Sequence, residues 1–179
     1  SRATPWVIGL VMALGFVLFY AVTTLVDAPM LRRLVRWLVV AGGLAAVIGI
    51  GLWALGDHAA SILLKLAVIG YPTTDVIRHL EANPALAVRA TGTSVDPNSF
   101  AGMLVLVFVL ALAQALAKRE QSVGLPRWIS WGTVAASGAA LILTQSRSAW
   151  LGAVAAAGII ALMRYRRLFV YGAAGAVAV

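Results

Sequence analysis

The sequence predicts an all-α fold, a polytopic transmembrane helix bundle, and three observations predict it. Of the 179 residues, 62% are hydrophobic and 11% charged, against roughly half and a quarter in a soluble domain. The apolar residues fall in long blocks, not in the two-residue alternation of a barrel strand. Between the blocks lie three basic clusters: Arg32, Arg33 and Arg36; Lys118, Arg119 and Arg127; Arg164, Arg166 and Arg167. They occupy alternate connectors, which is positive-inside topology and not the basic face of a nucleic-acid binder.

The expectation is a single membrane domain over 1–179, with about five full spans and a truncated sixth. The spans fall at 5–26, 37–56, 99–117, 128–144, 149–163 and, cut short, 168–179. The chain begins Ser-Arg and stops inside an apolar run, so it reads as part of a longer protein. The first span is about 20 residues long, enough to cross ~30 Å of hydrocarbon. Trp6 and Tyr20 lie toward its ends, where interfacial aromatics belong. No small-residue cleavage site follows a short apolar core, which argues against a signal peptide. Residues 27–36 form a basic connector that Pro29 helps to break. In the second span Gly42, Gly43, Gly49 and Gly51 offer small faces for close helix contact.

One long connector, 57–98, lies outside the cytoplasm by alternation. Two short helices are expected in it. At 61–69, Ile62, Leu63, Leu66 and Ile69 share a face, which suits an interfacial helix. At 74–82, Thr73 or Thr74 can cap, Asp75 sits near the positive end, and Asn83-Pro84 stops the helix. Small and turn-forming residues then lead to Asp96-Pro97-Asn98, which opens the third span with Asn98 or Ser99 as cap. Gly124 and Pro126 break the next basic connector. Trp128 and Trp131 mark the fourth span. A tight turn, Gln145 to Ser148, leads into an Ala- and Gly-rich fifth.

The absence of cysteine excludes disulfides, thiol nucleophiles and thiolate metal sites. His58 and His79 lack partners at metal-ligand spacing, and Asp57-His58 reads as a polar helix end. There is no phosphate-binding Gly loop, no nucleophile elbow and no acidic pair for a divalent ion. No metal and no cofactor are expected. Arg147, between two apolar runs, requires an anionic partner or a water-filled cavity. By alternation Arg147 shares its side with Arg89, and guanidinium forks suit phosphate oxygens. Two arginines at the membrane face could clamp a lipid-linked diphosphate and neutralise a leaving group without a metal. The competing reading is a snorkelling Arg147 or an ion pair with Asp96 or Asp57.

Two stretches carry a resemblance. They are Arg89-Ala-Thr-Gly92 running to Asp96-Pro97-Asn98-Ser99-Phe100-Ala101, and Thr144-Gln145-Ser146-Arg147-Ser148-Ala149-Trp150-Leu151-Gly152. Over residues 86–165 the chain resembles the O-antigen ligase and polymerase family of bacterial envelope proteins. The resemblance implies a GT-C-like, metal-independent glycosyltransferase in the bacterial inner (cytoplasmic) membrane, with its site on the extracytoplasmic side. It would move a glycan from undecaprenyl diphosphate to the hydroxyl of a glycan or lipid acceptor. Its partners are that donor, the acceptor and membrane lipids, with no nucleic acid. Arg89 and Arg147 match the family's diphosphate-holding positions. Pro97 and Asn98 match the span-opening motif, and Ser146 and Asn98 could add hydrogen bonds to substrate. Asp96 is the weak candidate for a general base. The family's second external loop, with its further catalytic groups, has no counterpart in this sequence. Two other readings stand beside this one: a secondary transporter for an organic anion, and a membrane scaffold without a site.

Overall fold

The computed structural model describes residues 5–65, 78–80, 87–94, 96–118 and 122–164. The truncated span expected at 168–179 lies outside the described residues, as do 66–69 of the first expected loop helix and 74–77 and 81–82 of the second. The described chain is mostly helical: α1 (Pro5–Leu25), α2 (Ala28–Leu55), α3 (Asp57–Leu64), β1 (Arg78–His79), β2 (Val88–Arg89), α4 (Pro97–Leu116), α5 (Arg127–Thr144) and α6 (Arg147–Arg164). Three of these helices, α2, α4 and α6, are long and apolar enough to cross a membrane. α5 matches its expected position, but it carries Ser130, Thr133 and Ser137 on its buried face. Those hydroxyls lower its hydropathy while packing inside the protein, and Ser137 Oγ donates to Thr133 O at 2.6 Å. The chain divides into two compact units, 1–35 and 36–179.

In the first unit Asp27 starts α2. Its Oδ1 accepts from Met30 N at 2.8 Å and its carbonyl from Leu31 N at 2.9 Å. Pro29 sits in the first turn, where an amide hydrogen is not needed and its fixed φ favours the helix. The expected connector 27–36 is therefore helical, and Arg32 and Arg33 lie on a helix surface.

In the second unit α2 buries Val39, Gly42, Gly43, Ala46 and Gly49. The spacing of three and four keeps them on one face. Gly42 meets Val107, Gly49 meets Phe100, and a Cβ on Gly43 would stand 2.6 Å from Thr133 Oγ1. Gly51, expected on the same packing face, has nothing within 4 Å. α4 lies between its neighbours: Phe100, Ala101 and Leu104 pack with Ala46, Ala140, Leu141 and Ala153 in one buried cluster. Contacts run from Gly42 with Val107 to Gly49 with Phe100, so α4 is antiparallel to α2.

Gly56 takes φ 54, a left-handed conformation that costs glycine little. It turns the chain directly into α3. The helix expected to begin at Ser61 thus begins at Asp57, because the corner comes at the glycine. The second expected loop helix is overturned at residues 78–79, which form a strand. Arg78 pairs with Arg89 and His79 with Val88 in an antiparallel ribbon, and Leu80 N bonds Ala87 O at 3.0 Å. Long-range backbone pairing outweighs a capping pattern worth about 1 kcal/mol. At the start of α4 the cap is Asp96, not Asn98 or Ser99. Its Oδ2 accepts from Ser99 N at 2.8 Å and Ser99 Oγ at 3.2 Å, with Pro97 at the first helical position.

The glycine face has a direct test. Gly49→Ala is expected to lower stability by about 1–3 kcal/mol, the usual cost of overpacking a tight core. Gly51→Ala is expected to be neutral or stabilising by up to about 1 kcal/mol, since helical Ala is preferred to Gly. Thermal unfolding of the detergent-solubilised protein reads both.

Candidate functional site

The α5–α6 join organises this end of the bundle. Gln145 adopts φ 52, a left-handed cap that returns its amide to Ile142 O at 3.1 Å. A helix end leaves four carbonyls without intrahelical partners, and in α5 every one of them is met. Leu141 O accepts from Trp150 Nε1 at 2.8 Å and Thr144 Oγ1 at 2.7 Å. Ile142 O takes the Gln145 amide, and Leu143 O takes the Ala90 amide at 2.9 Å. Thr144 O accepts from Arg89 Nε at 2.7 Å.

Arg89 is therefore fixed before any ligand arrives. Its Nη2 also donates to Asn98 Oδ1 at 3.0 Å. Its position on the chain is set from the other side by Trp53, whose Nε1 donates to Val88 O at 3.0 Å. Buried Ala90 and Thr91 follow. Gly92 then turns with φ 58, and a Cβ there would come 2.7 Å from the Phe100 ring. A cation at the C-terminal end of α5 complements that helix's dipole. The guanidinium's other N–H groups have no partner among the described residues.

Arg147 is the first residue of α6, where the expected turn had placed it two residues ahead of a helix starting at Ala149. It is exposed. It has neither hydrogen bond nor ion pair among the described residues, so the ion pair with Asp96 weighed from sequence is absent among them. A cation at a helix N-terminus adds to the positive end of the dipole, so the local field favours an anion. Ser146 is buried; its Oγ lies 3.4 Å from Ser148 Oγ, and its carbonyl accepts from Trp150 N at 3.1 Å.

The structure brings Arg89, Asn98, Ser146 and Arg147 to one end of the second unit. Arg89 touches the carbonyl three residues before Arg147. Asp96 starts α4 at the same end, with Oδ2 engaged in the cap. Asn98 orients Arg89, and its accepting oxygen turns its amide nitrogen outward from that bond. Away from this end, Arg127 starts α5 and Arg164 ends α6, while Arg36, two turns inside α2, reaches Val123 O with Nε and Nη2 at 3.2 and 2.6 Å. Among the described residues no group of three His, Cys, Asp or Glu side chains is placed to hold a metal ion. Thr144 and Trp150 stand in the second resembling stretch without a role of their own; the structure gives them one, through a carbonyl and an indole. Sequence reasoning passed over Arg78, which only the ribbon register sets opposite Arg89.

Arg89 has a structural share that Arg147 lacks. Arg89→Met is expected to leave the Thr144 carbonyl unpaired and cost about 1–3 kcal/mol, with faster hydrogen exchange at the neighbouring Ala90 amide. Arg147→Met is expected to leave both unchanged. Exchange and thermal unfolding on the two variants check this.

Compared with protein-family models, curated proteins and solved structures, the chain shows no match.

Proposed function

We propose that this chain is part of a metal-independent membrane glycosyltransferase of O-antigen ligase or polymerase type, with a GT-C-like bundle of about five spans. It works in the bacterial inner membrane and faces the extracytoplasmic side. Its donor is a glycan on undecaprenyl diphosphate, and its acceptor is the hydroxyl of a glycan or lipid. The observation that supports the reading is that Arg89 reaches the α5–α6 join at whose far end Arg147 stands, Arg89 braced by Thr144 O and Asn98 and Arg147 free of partners among the described residues. A braced cation and an open one, beside a helix N-terminus, form a place where a doubly charged anion replaces the water it leaves.

In the transfer, the bond between the anomeric carbon and the diphosphate oxygen breaks. The electron pair stays on the diphosphate, and the acceptor oxygen bonds to the anomeric carbon as its proton leaves. The demand on the protein is to stabilise charge growing on the leaving group. Preorganised donors aimed at that charge are worth more in the transition state than in the ground state. Arg147 supplies the charge and the fork, Arg89 a second fork already in position, and Ser146 and Asn98 stand beside them. Asp96 is the candidate to take the acceptor's proton, and its capping bonds keep the carboxylate beside Asn98.

Arg147→Ala is expected to lower glycan transfer in membranes by about 100-fold or more, the usual loss of one transition-state donor. Arg147→Lys is expected to fall about tenfold, because ammonium keeps charge and loses the planar fork. Transfer by the Ala variant at the unsubstituted rate, with equal protein in the membrane, rejects the proposal.

A further inference from the structure

The ribbon holds a juxtaposition that the transfer chemistry above does not use. Arg78 and Arg89 stand directly opposite each other in the antiparallel pair. Opposed residues share a face of the ribbon, with Cβ atoms about 4.5–5.5 Å apart, and like charges so placed destabilise the pair. A two-residue ribbon has little pairing energy of its own to offset this. Arg78 Nε is in addition buried without a hydrogen-bond partner, which is costly for a charged donor. No carboxylate among the described residues pairs with either arginine. Both side chains border one small cavity with Trp53, Ala59 and Thr91. Its volume is about 20 Å³, room for one water and too little for a phosphoryl group. An anion therefore meets the guanidinium ends from outside that space.

We infer that Arg78 is a third anion-binding arginine, which closes with Arg89 on a single phosphoryl group of a diphosphate ester. One shared anion cancels the repulsion across the ribbon, and it gives two planar forks the same acceptor oxygens. Arg89 is braced on the α5 carbonyl and Asn98, so Arg78 is the member of the pair with donors left to commit. Its role is affinity: it holds the phosphoryl group in ground and transition states alike. The assignment rests on the diphosphate reading above and extends it by one residue.

The sign of the stability change distinguishes this from a structural role. In the full-length protein purified in detergent, Arg78→Gln is expected to melt at the same temperature as the unsubstituted protein or higher when no ligand is present. It removes the like-charge contact and the unpaired Nε. The melting shift given by inorganic pyrophosphate, and separately by a short isoprenyl diphosphate, is expected to fall by at least half. Stabilisation by a ligand follows its affinity for the folded state. Arg78→Lys is expected to recover part of both shifts. In transfer assays Arg78→Gln is expected to raise KM for the donor about tenfold with kcat changed less than threefold.

A lower melting temperature without ligand in both Arg78 variants overturns the inference and makes Arg78 a ribbon residue. Undiminished shifts with both probes overturn it as well. A shift lost with the isoprenyl diphosphate and kept with pyrophosphate contradicts the shared phosphoryl contact and assigns Arg78 to the lipid portion. Normal donor KM in Arg78→Gln beside inactive Arg147→Ala removes the inference and leaves the transferase proposal standing. Probe shifts lost in Arg78→Gln beside an active Arg147→Ala remove the transferase proposal and leave the anion site.

Discussion

The closure of the α5 C-terminus is the constraint on which the rest depends. Four carbonyls end that helix among apolar neighbours, and backbone groups in such surroundings must be paired within the protein. The chain meets them with five donors: the Trp150 indole, the Thr144 hydroxyl, the left-handed cap amide, the Ala90 amide and the Arg89 guanidinium. Those from outside α5 come from α6, from the turn and from β2 with the residue after it, so the helix end gathers these three pieces around itself. Arg89 is placed because a carbonyl needs it. Its remaining N–H groups, and the open Arg147 next along the join, become available to a ligand as a consequence.

The glycine face of α2 makes this arrangement possible from the opposite side. Gly42, Gly43 and Gly49 remove side chains where Val107, Thr133 and Phe100 must approach. Phe100 then reaches both Gly49 and Gly92, linking α2, the segment after β2 and the start of α4. Without a strong hydrophobic force between helices in lipid, close van der Waals contact carries the association. Packing and site geometry therefore share residues: the ring that seats α4 on α2 also fixes the turn four residues from Asp96.

Charge is distributed with a purpose that differs at the two ends. Arg36 is consumed by the Val123 carbonyl. At the other end Arg78, Arg89 and Arg147 have no carboxylate partner among the described residues. Cations near an apolar bundle are expensive unless an anion or water compensates. Arg78 faces Arg89 across the ribbon, and Arg89 reaches the carbonyl three residues before Arg147, so positive charge is concentrated at this end of the unit.

Much of the helical content was legible because hydropathy and length are local quantities. The apolar blocks marked α1, α4, α5 and α6 to within a few residues, and the two arginines at 89 and 147 could be placed on one side by counting crossings. What failed, failed for physical reasons. Pro29 reads as a breaker and serves as a first-turn residue because Asp27 caps ahead of it. The capping pattern at 74–82 gives way at Arg78 and His79 to pairing with a strand about ten residues on. Asn98 and Ser99 look like caps, yet Asp96 has the extended backbone that a cap requires.

The sequence alone determined that this is an α-helical chain with apolar helices fit for a membrane. That conclusion follows from composition and periodicity, which need no partner residue to evaluate. Only the tertiary structure decided that Arg89 closes a helix end, that Arg78 stands opposite it, and that Gly51 turns away while Gly49 holds Phe100. Each of these depends on which backbone group or ring lies across a gap of a few ångströms, and chain distance carries no record of that.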